Sequence, residues 1–246
     1  MLLKRVIPVL LIKDDVLVKT ARFKSPRYIG DPINAIKIFN EKEVDELVVL
    51  DISATNKKKI NFDLLSRINK EAFMPVGYGG GVTTLEEAQK IFSLGYEKIV
   101  LNHIVLSQPD FINQLSDVCG SQSVVICVDI KKNLFGKYGV YDYTQKKNTG
   151  HLLIDWVKEC EQRGAGEIIL HNIDREGMFT GYDSEITSRV CDAVNIPVIV
   201  LGGAADTEDL KAGIQSGASA VAAGSMFVFH GPHKAVLITY PGKIIF

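Results

Sequence analysis

The chain has few cysteines, a single tryptophan, no surplus charge of either sign and no long apolar run, and each shortage closes a class of function. Its four cysteines, Cys119, Cys127, Cys160 and Cys191, stand apart with no Cys-X-X-Cys pair. A disulfide framework or zinc ribbon is therefore not expected, and a reduced, cytoplasmic protein is. Lys and Arg number 28 against 29 Asp and Glu, a formal net charge of -1, so no basic field gathers nucleic acid or anionic lipid. No apolar stretch reaches the ~18 residues that span a bilayer. The opening MLLKRVIPVLLIKDD lacks a small-residue cleavage site and runs straight into Lys13, Asp14 and Asp15; it reads as a buried strand, not a signal peptide. His230 and His233 are too sparse for zinc. No Ser/His/Asp order appears, and neither metal nor cofactor is expected.

What is present is an ordinary globular composition, 46% hydrophobic and 23% charged over 246 residues. Short apolar runs recur: Val6–Ile12, Leu47–Ile52, Pro75–Gly79, Lys98–Leu101, Ser123–Ile130, Glu167–Ile173, Ile196–Leu201 and Ala218–Ala223. Most are apolar at nearly every position, as strands of a parallel sheet covered on both faces must be. Segments with helical spacing lie between them, among them Asp31–Lys42, Leu85–Leu94, Leu152–Arg163 and Thr207–Ser216, and several stop at a glycine (Gly95, Gly164, Gly217) suited to a left-handed cap. Eight βα units in a chain of this length predict an α/β protein, one (β/α)8 TIM barrel over residues 1–246.

The chain also nearly repeats itself. Pro75-Val76 aligns with Pro197-Val198, Gly80-Gly81 with Gly202-Gly203, Glu86 with Glu208 and Gly95 with Gly217, all 122 positions apart. Two half-barrels of four units account for this register. Each Gly-Gly follows a strand and precedes a helix, and each neighbouring strand ends in a small or polar pair, Asn102-His103 or Gly224-Ser225. Glycine lets backbone N–H groups close on an anion, so two phosphate sites across the mouth, and a ligand phosphorylated at both ends, are the reading. Tight βα turns alone are the alternative.

Chemistry hangs on the strand ends at the mouth. Asp129 closes the run Val125–Lys131 and is the candidate general acid or base, or else a partner for Lys131 or a loop amide. Aligning Lys13 with Lys131 sets Leu11 opposite Asp129. The repeat thus calls for paired carboxylates, and the chain supplies one. Asp51 and Asp174 could meet ligand or fix loops, His171 reads as a packed or hydrogen-bonded residue, and Cys127 and Trp156 as filler. At the other face, Arg5, Glu46, Lys98 and Glu167 start four strands and would ring the barrel floor as salt bridges.

Longer stretches carry a resemblance. MLLKRVIPVL, GDP at Gly30–Pro32, DELVVLDI at Asp45–Ile52, GYGGG at Gly77–Gly81, GSQSVV at Gly120–Val125, IDREG at Ile173–Gly177, GYD at Gly181–Asp183 and LGGA at Leu201–Ala204 resemble the cyclase subunit of imidazole glycerol phosphate synthase. The resemblance implies a barrel that takes ammonia from a glutaminase docked at its N-terminal face and delivers it to a bisphosphate ligand at the other end. It implies that Arg5, Glu46, Lys98 and Glu167 form the ammonia gate, that Asp129 is one of two catalytic aspartates, and that Gly81, Asn102, Gly177, Gly203, Gly224 and Ser225 bind phosphate. Departures fall at the mouth: Leu11 for the second aspartate, His103 for a threonine, His171 and Asn172 for hydroxyl residues, Glu176 for an aspartate. Phe23–Ile52, Phe92–Ile99 and Phe227–Pro241 are similar to a paralogous branch, the acetamidino-modification (AglZ or WbuZ type) proteins of surface-polysaccharide synthesis. That likeness implies a barrel working with a glutaminase and an ATP-dependent sugar amidotransferase, passing ammonia on instead of closing an imidazole. The segment Lys13–Arg27 is expected as a charged loop suited to partner contact.

Overall fold

A computed structural model describes residues 4–133 and 135–242. The apolar runs form eight strands: β1 (Arg5–Lys13), β2 (Leu47–Asp51), β3 (Val76–Gly79), β4 (Lys98–Leu101), β5 (Val124–Lys132), β6 (Glu167–Asn172), β7 (Val198–Leu201) and β8 (Ala220–Ala223). Each pairs in parallel with the next, and β8 pairs with β1, closing a (β/α)8 barrel. Register fixes its shear. From Leu11 the pairing leads through Leu50, Gly79 and Val100 to Val125. From Asp129, four residues further along β5, it leads through His171, Leu201 and Ala222 to Ile7, four residues short of Leu11. One circuit therefore slips by about eight residues, the stagger at which eight strands enclose a core packed with side chains.

Because side chains alternate along a strand, each strand sends one set inward. Ile7, Val9, Leu11, Val48, Val100, Val125, Cys127, Ile169, Ile199, Leu201, Ala220 and Ala222 fill the interior. The opposite set packs beneath the helices, with Trp156, Phe39 and Tyr78 among the largest fully buried side chains. Among the described residues, seven helices of eight or more residues cover the barrel: α1 (Pro32–Glu41), α2 (Phe62–Glu71), α3 (Leu85–Ser93), α4 (Asp110–Cys119), α5 (Leu153–Gln162), α6 (Ser184–Cys191) and α7 (Thr207–Gln215). Side-chain oxygens of Asp31, Asn61, Thr84, Asp183 and Asp206 cap the N-termini of α1, α2, α3, α6 and α7, with a full capping box from Thr84 and Glu87. Gly95, Gly164 and Gly217 follow helices with φ near +100°, the left-handed stop that the spacing predicts.

Two expectations change. The eighth unit has no long helix among the described residues; a short 3-10 turn, Ser225–Phe227, follows β8. The chain after it closes the seam instead, with Tyr240 stacked on Phe227 and its hydroxyl donating to the Val6 carbonyl. The segment Lys13–Arg27 is not a loop. After a tight turn at Asp14 and Asp15, both with positive φ, Val16–Ala21 pairs antiparallel with β1 and with Lys24–Gly30. Leu17, Val18, Lys19 and Thr20 are buried. Val16-Leu17-Val18 has the β-branched and apolar content of a strand, and the charges beside it hide that.

In α7, Gly213 packs so closely that an added Cβ would lie 2.7 Å from Val221 Cγ1 and 2.9 Å from the Tyr182 ring. Helix propensity favours alanine by about 1 kcal/mol, but overpacking costs about 1–3 kcal/mol, and Tyr182 is pinned by its hydroxyl bond to the Ala222 carbonyl. Gly213→Ala is expected to lose about 1 kcal/mol net, seen as a lower urea midpoint at unchanged slope.

Candidate functional site

The two barrel ends differ in kind. At the floor, the inward positions below the apolar core are Arg5, Glu46, Lys98 and Glu167. Arg5 bonds Glu46 and, at 2.7 Å, Glu167; Lys98 bonds Glu46 at 2.9 Å and Glu167 at 2.8 Å. Each cation bridges both carboxylates, so four ion pairs close a ring across the barrel axis. Burial lowers the Arg5 pKa, but Glu167 and Glu46 outweigh it and hold the guanidinium above its usual value. Above the ring the interior is apolar up to Leu11, Leu201 and the mouth. An ion placed in that lining would lose its hydration.

At the mouth, Asp129 is buried, 6% exposed, and fully engaged. Its Oδ2 accepts from Asn102 Nδ2 at 2.9 Å; its Oδ1 lies 3.2 Å from His171 Nδ1 and 3.8 Å from the Cys127 thiol. Burial pushes the Cys127 thiol well up, and Asp129 adds to it. The Cys127, Asp129 and His171 donor atoms all lie within 4.8 Å of one another, a trio whose donor types suit a borderline divalent cation. Lys131 does not pair with Asp129; its ammonium sits 4.8 Å from the Tyr141 ring centroid. His103 bonds Asp142 and Thr144. Asp51 caps the turn at Ser53 and Ala54, and Asp174 accepts from the Lys132 amide, so both serve loops.

The six glycine-rim residues separate into two groups. Gly177, Gly203, Gly224 and Ser225 line one small cavity with Val9, Leu11, Lys19, His171, Glu176 and Leu201. Gly203 has φ +119°, and a Cβ there would fall 2.1 Å from the Gly181 carbonyl, so backbone alone fits. Gly81 and Asn102 lie elsewhere: the Gly81 amide donates to Thr55 Oγ1 at 3.3 Å, and Asn102 holds Asp129. The second-half cradle thus faces a cavity.

Sequence reasoning missed Lys19. Its side chain is buried in the mouth and donates to the Val9 carbonyl at 2.5 Å. Burial lowers its pKa to about 8, against an opposing pull from Glu176. Glu176 in turn binds the strand pair across the mouth, accepting from Thr20 Oγ1 at 3.0 Å and the Phe23 amide at 3.1 Å. The usable signal was a lysine inside the apolar alternation Val16–Thr20, where a cation is costly unless it has a task.

These observations define a (β/α)8 barrel with a charged, closed floor and its polar groups gathered at the C-terminal rim, where barrels of this architecture carry their chemistry. Residues 5–233 match the family described as histidine biosynthesis protein, and the chain belongs to that family. It is 49% identical over 244 residues to a Leptospira borgpetersenii protein provisionally named imidazole glycerol phosphate synthase subunit HisF, covering 98% of this chain and 96% of that one. A Pseudomonas aeruginosa protein provisionally named subunit hisF2 of the same synthase is 47% identical, with 98% and 97% covered. The imidazole glycerol phosphate synthase subunit HisF of Thermotoga sp. (strain RQ2) is 40% identical, with 93% and 90% covered. The chain is thus a HisF-like barrel. Among the described residues no helix is long and apolar enough to cross a membrane.

Two stability changes follow. Glu46→Ala removes half the ring's ion pairs; Arg5 and Lys98 keep Glu167, so the loss is expected at about 2 kcal/mol, below the ~3–5 kcal/mol for breaking a fully buried pair, read by denaturant titration. Folded Lys19 releases its proton near pH 8, whereas the unfolded chain holds it to about 10.5. Between those values the unfolded state binds more protons, so stability rises with pH, by about 3 kcal/mol in full. The stability of wild type relative to Lys19→Met should therefore climb from pH 7.5 to 10; a flat difference would contradict the buried, shifted lysine.

Proposed function

We propose that this chain is the ammonia-conducting barrel subunit of a glutamine-dependent amidotransferase complex. A HisH-like glutaminase docks on the N-terminal face, and ammonia enters through the ring of Arg5, Glu46, Lys98 and Glu167. It leaves at the mouth for acetamidino modification of a nucleotide sugar, completed by an ATP-dependent sugar amidotransferase in surface-polysaccharide synthesis. The observation that carries this reading is Leu11. It occupies the position where the half-barrel repeat calls for a carboxylate opposite Asp129, and it extends the apolar lining to the mouth. A proton cannot be moved from leucine, while an apolar wall suits passage of neutral ammonia. The likeness of Phe23–Ile52 and Phe227–Pro241 to the acetamidino-modification branch supports the same destination.

A second reading, the cyclase of histidine biosynthesis, is favoured by the cradle of Gly177, Gly203, Gly224 and Ser225 with the Lys19 cation beside it, which suits one phosphate of a bisphosphate ribotide. The relatives' names point the same way. The two readings part in rate. Losing a general acid or base costs about 10²–10⁴-fold. Supplied with the bisphosphate ribotide and excess ammonium, wild type is expected to turn over at least 10²-fold below an ordinary cyclase, and Leu11→Asp to regain part of the loss. Turnover within about tenfold of a cyclase would overturn the conduit in favour of the enzyme.

A further inference from the structure

The mouth contains one polar atom that the foregoing leaves idle. His171 is buried, 5% exposed, and its Nε2 has no hydrogen-bond partner among the described residues. Such an atom is costly, because a buried nitrogen forfeits its bonds to water unless something replaces them. Its tautomer follows from its neighbours. Asp129 Oδ1 stands 3.2 Å from Nδ1, which in the neutral ring favours the proton on Nδ1 and leaves Nε2 a lone pair. Asn102 fixes the far carboxylate oxygen, and the Phe23 ring lies 4.9 Å from the imidazole by centroids. The histidine is therefore held from two sides with an acceptor left over.

Its position gives that acceptor a use. His171 belongs to the inward set of β6, directly above Ile169 and beside Leu201. It lines the mouth cavity together with Val9, Leu11 and Leu201. Anything that rises through the apolar lining meets it there. Asp129 and Glu176 already hold donors at the outlet, while Nε2 has none among the described residues. A neutral molecule with N–H donors needs one acceptor, and keeps its own lone pair free.

We propose that His171, oriented by Asp129, is an ammonia-receiving site at the outlet of the barrel: Nε2 accepts an N–H from ammonia and leaves the ammonia lone pair directed away from the wall. Asp129 is then a positioning residue. The proposal rests on the reading that ammonia reaches this end, and it assigns that ammonia a seat.

The test is a titration watched at the histidine nitrogens. Protein labelled with ¹⁵N-histidine is followed by long-range ¹H–¹⁵N correlation, with His171 assigned by its loss in His171→Phe. Wild type should show the Nδ1–H tautomer. At a fixed alkaline pH, ammonium chloride should move the Nε2 resonance saturably, and an equal concentration of potassium chloride should not. His103, His151, His230 and His233 serve as internal controls and should stay still. Asp129→Ala should lose the Nδ1–H preference; if that variant does not fold, the wild-type titration decides alone. An Nε2–H tautomer in wild type, no response to ammonia, an equal response to potassium chloride, or a response to zinc chloride alone would each overturn the site, the last in favour of a metal on Cys127, Asp129 and His171. Because ammonia comes from solution, failure of glutaminase coupling alongside a positive titration would sink the conduit and spare the seat. Coupling with no titration would do the reverse.

Discussion

Closure of the sheet with a slip of eight residues is the constraint from which the rest follows. It decides which side chains point inward and at what height, because a strand has only two faces and the register leaves no freedom to change them. Given that register, Arg5, Glu46, Lys98 and Glu167 share the floor although they lie up to 162 positions apart in sequence. By the same rule Leu11, Asn102, Asp129 and His171 are raised to the top. The axis of the molecule is therefore graded: charge at the base, hydrocarbon through the middle, hydrogen-bonding groups at the rim. Shifting β1, β2, β4 or β6 by one residue would turn a charged member of the floor out under the helices.

The gradation brings opposite electrostatic regimes into one column. At the floor, two partly buried cations and two buried carboxylates neutralise one another directly, so each charge is met by its opposite. At the rim the groups are buried, and each charge must be met by specific bonds. Asp129 meets this demand with an amide and an imidazole, and Glu176 with a hydroxyl and a backbone N–H. Lys19 meets it partly by giving up its proton more easily. At the rim burial shifts the protonation of Lys19 and Cys127, while at the floor opposite charges cancel.

Much of this was legible in the chain. The strands showed because both their faces are buried, leaving uninterrupted apolar runs, and the half-barrel repeat showed because Gly80, Gly81, Gly202 and Gly203 all adopt positive φ that other residues resist. The floor ring could be read because its four members are charged residues at, or just before, the start of largely apolar strands. The mouth was less legible. Asn102 stands where a ligand contact was expected, yet its amide turns to Asp129, and only the three-dimensional height of β4 against β5 determines that. Lys19 was hidden in a segment whose surrounding charges resembled a loop. That the eighth unit has no long helix among the described residues was hidden for a different reason: the segment around Tyr240 replaces helix packing with one tilted aromatic contact and a few backbone bonds, which leave no periodic trace.

That tail has a bearing on how the molecule comes into being. The seam between β1 and β8 joins Arg5 to Ala220, and Tyr240 ties over it to Val6 across 234 positions. Contacts so distant in sequence pay the greatest loop-closure entropy and form late. On the ribosome, the first strand must therefore wait, one edge unpaired, until nearly the whole chain has been made. An unpaired apolar edge is a template for the wrong partner. The period of greatest hazard for this protein is its own synthesis, and it ends only once β8 and Tyr240 have emerged to close the seam.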